Sequence, residues 1–247
     1  MSDFQKINAC AKRPTDIWTN YLYYTFSLRF VYLIRNTRIT PNMITLFSLF
    51  LVLVGSLFYA TGTRSALGIG LVLAQASYVF DCADGQLARF RQQFSALGGW
   101  IDQLADRIKE FAVYFSLAYG YTRFHPGATG IWKWAMAALF ALYLLEYLGQ
   151  VDLKTRPENP AIEQRQRPRP ESGTQDSLGT FHKMQRWRSL IPFRSFIIGE
   201  QYFTMLVFLA FGAVYTFYVF VAVLGLLMVL YRMGIDLYKY LRMRKSA

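Results

Sequence analysis

Cysteine and histidine are almost missing from this chain, with two of each in 247 residues. Cys10 and Cys82 form neither a disulfide framework nor, with so few histidines, a zinc site. His125 and His182 have no partner pattern around them. No N-x-[ST] acceptor and no internal repeat occurs. The first 35 residues lack a compact apolar core ahead of a small-residue cleavage site, so a cleaved signal peptide is not expected. Charge is scarce too. Asp, Glu, Lys and Arg make up 17% of the chain, against roughly 25% in soluble domains. What fills the space is apolar: 54% of residues are hydrophobic and 17% aromatic.

These residues come in blocks, which points to an all-α, polytopic membrane protein rather than a pair of soluble domains. Apolar windows long enough to span a bilayer fall at about 42–61, 65–88, 97–121, 129–150, 196–213 and 214–235. The last boundary, near Gly212, is the least sharply marked. Six spans put both termini on one side. If that side is cytoplasmic, every one of the 27 basic residues except Arg64, Arg123 and Lys133 lies inside, so the positive-inside rule predicts an N-in, C-in topology. The net charge of +12 is then explained by anionic headgroups, and no nucleic-acid partner is expected. Residues 1–40 read as a cytoplasmic N-terminal segment whose stretch 15–37 forms an interfacial amphipathic helix. Thr40-Pro41 reads as an N-cap and first helical residue. Residues 41–247 read as a six-span transmembrane catalytic domain, interrupted by a Pro-, Gln- and Arg-rich cytoplasmic loop at 151–194.

One stretch contradicts its apolar surroundings. Residues 81–106, DCADGQLARFRQQFSALGGWIDQLAD, place four aspartates at the junction of the second and third spans. Residues three or four apart share a helix face. Asp81 and Asp84 therefore share one face of span two, and Gly98, Asp102 and Asp106 share a stripe on span three. An antiparallel hairpin brings Asp81 level with Asp106 and Asp84 level with Asp102.

Such a cluster is costly when bare. Each ionised carboxylate in hydrocarbon costs roughly 2.5–3.5 kcal/mol, and the carboxylates repel one another. A divalent cation removes both penalties, and oxygen-only ligands favour Mg²⁺ or Mn²⁺ over zinc or copper. Such ions are commonly used to hold phosphates. Gly85 and Gly98 clear space for a large ligand, and Arg89 supplies a planar cation suited to phosphate. Competing readings are structural ion pairing with Arg89, Arg107 and Lys109, or a cation or proton pathway. A transporter would spread its acids along several spans, but Glu146, Glu200 and Asp236 are few and scattered. A polyprenyl transferase would place two acidic motifs on well-separated spans, whereas a single hairpin is acidic here.

Asp81-x-x-Asp84-Gly85-x-x-Ala88-Arg89, then eight residues, Gly98, three residues, Asp102, three residues and Asp106 resembles the signature of the CDP-alcohol phosphotransferases. TPNMIT at 40–45 is similar to the start of that family's first span, and the likeness covers roughly residues 15–150. The resemblance implies that an alcohol attacks a CDP-linked donor, most readily CDP-diacylglycerol, to give a phosphodiester and CMP in phospholipid synthesis. The N-terminal segment loosely resembles members that use a CDP-polyol donor, which keeps a small CDP-alcohol donor with a lipid or polyol acceptor open. By the same resemblance Asp81, Asp84, Asp102 and Asp106 hold metal, two Mg²⁺ or Mn²⁺ ions being expected. Asp106 doubles as the general base. Asp84, Gly85, Ala88, Arg89 and Gly98 meet the donor. Arg186, Arg188 and Arg194 are candidates for an acceptor phosphate or for lipid headgroups, and Glu200 is a further candidate facing the cavity. A homodimer in a bacterial cytoplasmic membrane, its active site facing the cytoplasm, completes the expectation.

Overall fold

The structure is a computed structural model that describes residues 2–13, 15–155, 196 and 198–246. All regular structure among these residues is helical. Helix α1 (Asp3–Ala9) opens with a capping box between Ser2 and Gln5. A single π-helical turn, Thr19–Tyr23, leads into α2 (Tyr24–Ile34). Long helices follow: α3 (Pro41–Thr61), α4 (Arg64–Arg91), α5 (Ala96–Phe124) and α6 (Ile131–Thr155). The last two are α7 (Ile198–Ala210) and α8 (Val214–Ser246).

The Thr40-Pro41 start is present. The Thr40 hydroxyl accepts from the Met43 backbone N–H at 3.4 Å, and proline opens α3. Thr63 and Ser95 cap α4 and α5 in the same way, satisfying backbone donors that a helix start leaves orphaned. The weakly marked boundary near Gly212 is a real break, where Gly212 takes a left-handed turn at φ +72°. Arg64 donates to the Ala210 carbonyl beside it at 3.0 Å.

Each of the six apolar windows contains a helix, but the helices differ in kind. Four, α3, α4, α6 and α8, are long and apolar enough to cross a membrane. Helix α5 is long but carries Asp102, Asp106, Arg107, Lys109 and Glu110. Helix α7 has only 13 residues, about 20 Å at 1.5 Å per residue, and falls short of the hydrocarbon thickness. Helix α8 runs beyond the expected end at 235, to Ser246. The chain is a multi-pass membrane protein, with four helices that meet the span criterion outright. The expected loop at 151–194 falls mostly outside the described residues.

Helix α3 packs along α4 and α5, α8 along α6, and α7 against α4 and α8. Lipid tails are as apolar as leucine, so helices in a membrane associate through close contact and hydrogen bonds. The α3–α5 contact shows this. A Cβ on Gly120 would come 1.9 Å from the Tyr59 carbonyl oxygen. One on Gly62, at φ +75°, would come 2.2 Å from the Gly120 carbonyl oxygen. Both obstacles are backbone, so neither can yield cheaply. On the outer faces, Leu46, Phe50, Leu53 and Leu57 of α3 and Trp100, Phe111 and Phe115 of α5 stand exposed, as an apolar belt does when lipid covers it.

A second apolar cluster ties the N-terminal segment to the bundle. Ile7 of α1 and Tyr24, Leu28, Val31 and Ile34 of α2 are buried with Ile44, Ala83 and Leu87. The spacing of the α2 residues is one helix stripe, while Tyr21, Phe26 and Leu33 point outward. Arg91 locks the end of α2: its guanidinium donates to the carbonyls of Ile34, Arg35, Thr37 and Ile39 at 2.5–3.1 Å.

The glycine contact yields a stability test. Gly120→Val is expected to force α3 and α5 apart and cost about 1–3 kcal/mol, the usual range for overpacking. Gly68→Ala, where no atom lies within 4 Å of the added Cβ, should leave the melting temperature in detergent no lower. Equal melting of Gly120→Val and the parent chain would show that this contact is slack.

Candidate active site

The last turns of α4 and the first turns of α5 form the site, joined by a four-residue link. Gln92 takes the left-handed conformation at φ 55°, and Gln93 donates its N–H to the Ala88 carbonyl at 2.9 Å. This ends α4 sharply. Ser95 then starts α5 by accepting the Gly98 N–H at 2.9 Å. The chain reverses at once, so the carboxylates of the two helices face each other. The N-terminal end of α3 closes the third side.

Carboxylate oxygens of Asp81, Asp102 and Asp106 lie within 4.8 Å of one another. All three residues are partly exposed. Asp84 is nearly buried, at 7% exposure, and accepts a hydrogen bond from the Thr45 hydroxyl at 2.6 Å. Its carboxylate is thus oriented from α3. Beside it opens a cavity of about 240 Å³. Asp84, Gly85, Ala88 and Arg89 form one wall, Ser95, Gly98, Gly99 and Asp102 another, and Pro41, Asn42 and Thr45 the third. Small residues keep it open: a Cβ on Gly98 would crowd the Asn42 and Ser95 side-chain oxygens at 2.8 and 2.9 Å.

The basic side chains divide their work. Arg89 donates Nε to the Cys10 carbonyl at 2.5 Å, which fixes its guanidinium at the cavity wall beside Gly85. Arg107 bonds Glu110 at 2.7 Å and also Glu146, while the Tyr143 hydroxyl donates to its backbone carbonyl at 3.2 Å. Arg107 thus ties α5 to α6. Lys109 alone of the three enters the aspartate cluster. It bonds Asp81 and lies 3.4 Å from Asp106. Read from sequence, Lys109 belongs with the basic residues at the cytoplasmic surface; in the fold its side chain is 3% exposed.

Structural ion pairing therefore accounts for part of the cluster only. One ammonium faces Asp81 and Asp106, with Asp102 and Asp84 close by. A donor set made solely of carboxylate oxygens, with one monovalent cation among them, suits a hard divalent ion. Thr45 and Asn42 had no assigned role in the sequence reading, and Lys109 entered it only as a candidate ion-pair partner of the aspartates. Thr45 and Asn42 sit in the TPNMIT stretch, and Lys109 follows Asp106 by three residues, so helix periodicity alone places it on the aspartate face. Glu200 is buried at the start of α7, where the Thr204 hydroxyl donates to its backbone carbonyl at 2.7 Å. It is not part of the cavity wall. Arg186, Arg188 and Arg194 lie outside the described residues.

Known proteins resemble this chain in sequence and in fold. The family model described as CDP-alcohol phosphatidyltransferase matches residues 38–159. A CDP-diacylglycerol–serine O-phosphatidyltransferase of Helicobacter pylori is 32% identical over 120 residues, covering 49% of this chain and 48% of the relative. The archaetidylinositol phosphate synthase of Pyrococcus horikoshii is 28% identical over 111 residues, 44% of this chain and 53% of its own. The chain thus spans about half the length of the curated relatives it matches. Among solved structures, the phosphatidylinositol phosphate synthase of Mycobacterium tuberculosis with CDP-DAG bound has a TM-score of 0.57 at 16% identity, covering 86% of this chain and 92% of that one. The same enzyme in complex with manganese and citrate has a TM-score of 0.55 at 17% identity, over 84% and 87%. These likenesses establish the shared fold. Through residues 38–159, the chain matches the CDP-alcohol phosphatidyltransferase family.

Proposed function

We propose that this protein transfers a phosphatidyl group from CDP-diacylglycerol to the hydroxyl of a small polar alcohol, releasing CMP, as a step of phospholipid synthesis. The observation that carries the reading is the meeting of the Asp81, Asp102 and Asp106 carboxylates beside a glycine-lined cavity that Asp84 and Arg89 also border. The Helicobacter relative is named for CDP-diacylglycerol, and the mycobacterial neighbour holds CDP-DAG, which supports that donor over a small CDP-alcohol.

In this reading Asp81, Asp84, Asp102 and Asp106 hold two Mg²⁺ or Mn²⁺ ions; manganese is present in the mycobacterial neighbour. When bound, such ions neutralise the diphosphate and ease departure of the leaving phosphate. The protein's own groups do the rest. Arg89, anchored on the Cys10 carbonyl, offers its guanidinium to the donor diphosphate. Gly85, Ala88 and Gly98 leave room for the cytidine end. Asp106 accepts the proton of the acceptor hydroxyl as its oxygen attacks the phosphorus bearing the diacylglycerol. A new P–O bond forms, the P–O bond to CMP breaks, and the proton stays on the Asp106 carboxylate.

The protein would sit in a bacterial cytoplasmic membrane as six spans with both termini inside, α5 and α7 completing the bundle, the bilayer thinning around the short α7, and α2 lying along the inner leaflet. This places the cavity at the inner membrane surface, where a lipid donor arrives laterally and the acceptor arrives from the cytoplasm. A homodimer is part of the same reading.

CMP release by the purified chain with Mg²⁺ tests the proposal, comparing CDP-diacylglycerol with small CDP-alcohols, each with a panel of polar acceptors. Release with CDP-diacylglycerol and a polar alcohol is expected. Turnover confined to a small CDP-alcohol would overturn the donor assignment, and none from any pair would overturn the activity. Asp106→Asn should lower turnover by about 10²–10⁴ with donor binding largely kept; near-normal turnover would remove Asp106 as base. Asp84→Asn should raise the Mg²⁺ concentration for half-activity by roughly 10- to 100-fold. An unmoved titration would count against its place in the metal shell.

A further inference from the structure

We propose that Lys109 is a tethered cation that keeps the place of a divalent ion and must release Asp81 before the ion binds, thereby setting how tightly the site holds its metal. The inference rests on the reading that Asp81, Asp102 and Asp106 hold a divalent cation. Lys109 is a positioning residue in this scheme, acting through the carboxylates.

Lys109 follows Asp106 by one turn of α5, so its side chain shares the aspartate face. Its ammonium is bonded to Asp81 Oδ1 and lies 3.4 Å from Asp106 Oδ1. Both residues belong to the trio whose oxygens lie within 4.8 Å of one another. No other basic side chain among the described residues enters that trio, since Arg89 and Arg107 are engaged elsewhere. An ammonium and a divalent cation repel strongly at such separations in a medium drier than water. They cannot both hold the same carboxylate oxygens.

The ammonium has somewhere to go. A second cavity of about 30 Å³ opens beside Lys109, bordered by Glu110, Gln201 and Tyr202. That is more than the roughly 10–15 Å³ a single water needs, and an ammonium group is of similar size. Its walls are mainly apolar, Val113, Tyr114, Met205 and Phe217 among them, so the Glu110 carboxylate, which already holds Arg107, is the group that would receive the charge in place of Asp81. Rotation of a flexible four-carbon stem suffices for the exchange. Without metal, Lys109 offsets repulsion that would otherwise strain the α4–α5 hairpin. With metal, its nearby charge weakens the hold on the ion and favours exchange.

The test uses the full detergent-solubilised chain, stripped with EDTA and titrated with Mn²⁺ by calorimetry and by the electron paramagnetic resonance of free Mn²⁺. Lys109→Met keeps the length and removes the charge. It is expected to bind Mn²⁺ at least about tenfold more tightly, and to melt several degrees lower than the parent when metal-free. Lys109→Arg keeps the charge and should bind more weakly than Lys109→Met. A purely structural lysine would lower the melting points of the metal-free and the Mn²⁺-loaded protein alike and leave affinity unmoved; that result, or weaker binding, overturns the proposal. If Lys109→Met fails to fold, the parent decides alone. In its Mn²⁺-loaded structure Lys109 Nζ should stand beyond about 4 Å, the ion-pair limit, from the Asp81 carboxylate, and a retained bond overturns the exchange. A parent chain that binds no Mn²⁺ removes the metal reading and this one with it, whereas a parent that binds while Lys109→Met is unchanged removes only the role of Lys109.

Discussion

Four carboxylates set inside a bundle of mostly apolar helices are the constraint to which the rest of the site answers. Each is expensive in low-dielectric surroundings and raises the cost of its neighbours. The fold meets that cost locally. Thr45 donates to Asp84 from α3, and Lys109 bonds Asp81 from α5. A tight reversal between Gln92 and Ser95 brings the two helices face to face. The reversal matters as much as the acids. Were the link long or slack, Asp81 and Asp106 would drift apart, and the carboxylates would lose the shared partner that makes their approach tolerable.

The N-terminal segment supports this arrangement from outside. Ile7 and the buried stripe of α2 pack against Ile44, Ala83 and Leu87, next to the residues that border the cavity. Two arginines on the last turn of α4 reach into the segment: Arg89 holds the Cys10 carbonyl, and Arg91 holds the carbonyls at the end of α2. A guanidinium is suited to this because its rigid fork engages several acceptors at once. The segment therefore does more than lie against the bundle. It determines where Arg89 points, and hence how that cation can meet a phosphate.

How far the sequence speaks for the structure depends on the kind of information involved. Thr40-Pro41 and the break at Gly212 are local signals, and the helices there begin and end where they indicate. Apolar windows located all six main helices, because helix formation in such a chain follows hydropathy directly. Length was less legible. Helix α7 stops after 13 residues although its window is longer, since Phe196 and Phe211 are apolar without being helical. The aspartates were legible through periodicity, and Lys109 as one candidate ion-pair partner, but the hydroxyl that orients Asp84 was not. Thr45 reaches Asp84 across 39 positions of sequence, a relation that no single helix pattern contains.

Lys109 and Arg107 show why helix phase, rather than charge, decides the fate of a basic residue here. They stand two positions apart on α5, roughly 200° around the helix. Charge counting assigns both to a cytoplasmic surface. Phase sends Arg107 towards Glu146 of α6 and Glu110 of its own helix, and sends Lys109 inward to Asp81 and Asp106. Glu110, three residues beyond Arg107 and next to Lys109, lies between the two groups and borders the small cavity beside the lysine. A cation that leaves the aspartates thus meets an acidic neighbour already held in place by an arginine. The two ion-pair groups are adjacent through that glutamate, so a change of partner at Lys109 would be felt at the α5–α6 contact as well as at the carboxylates.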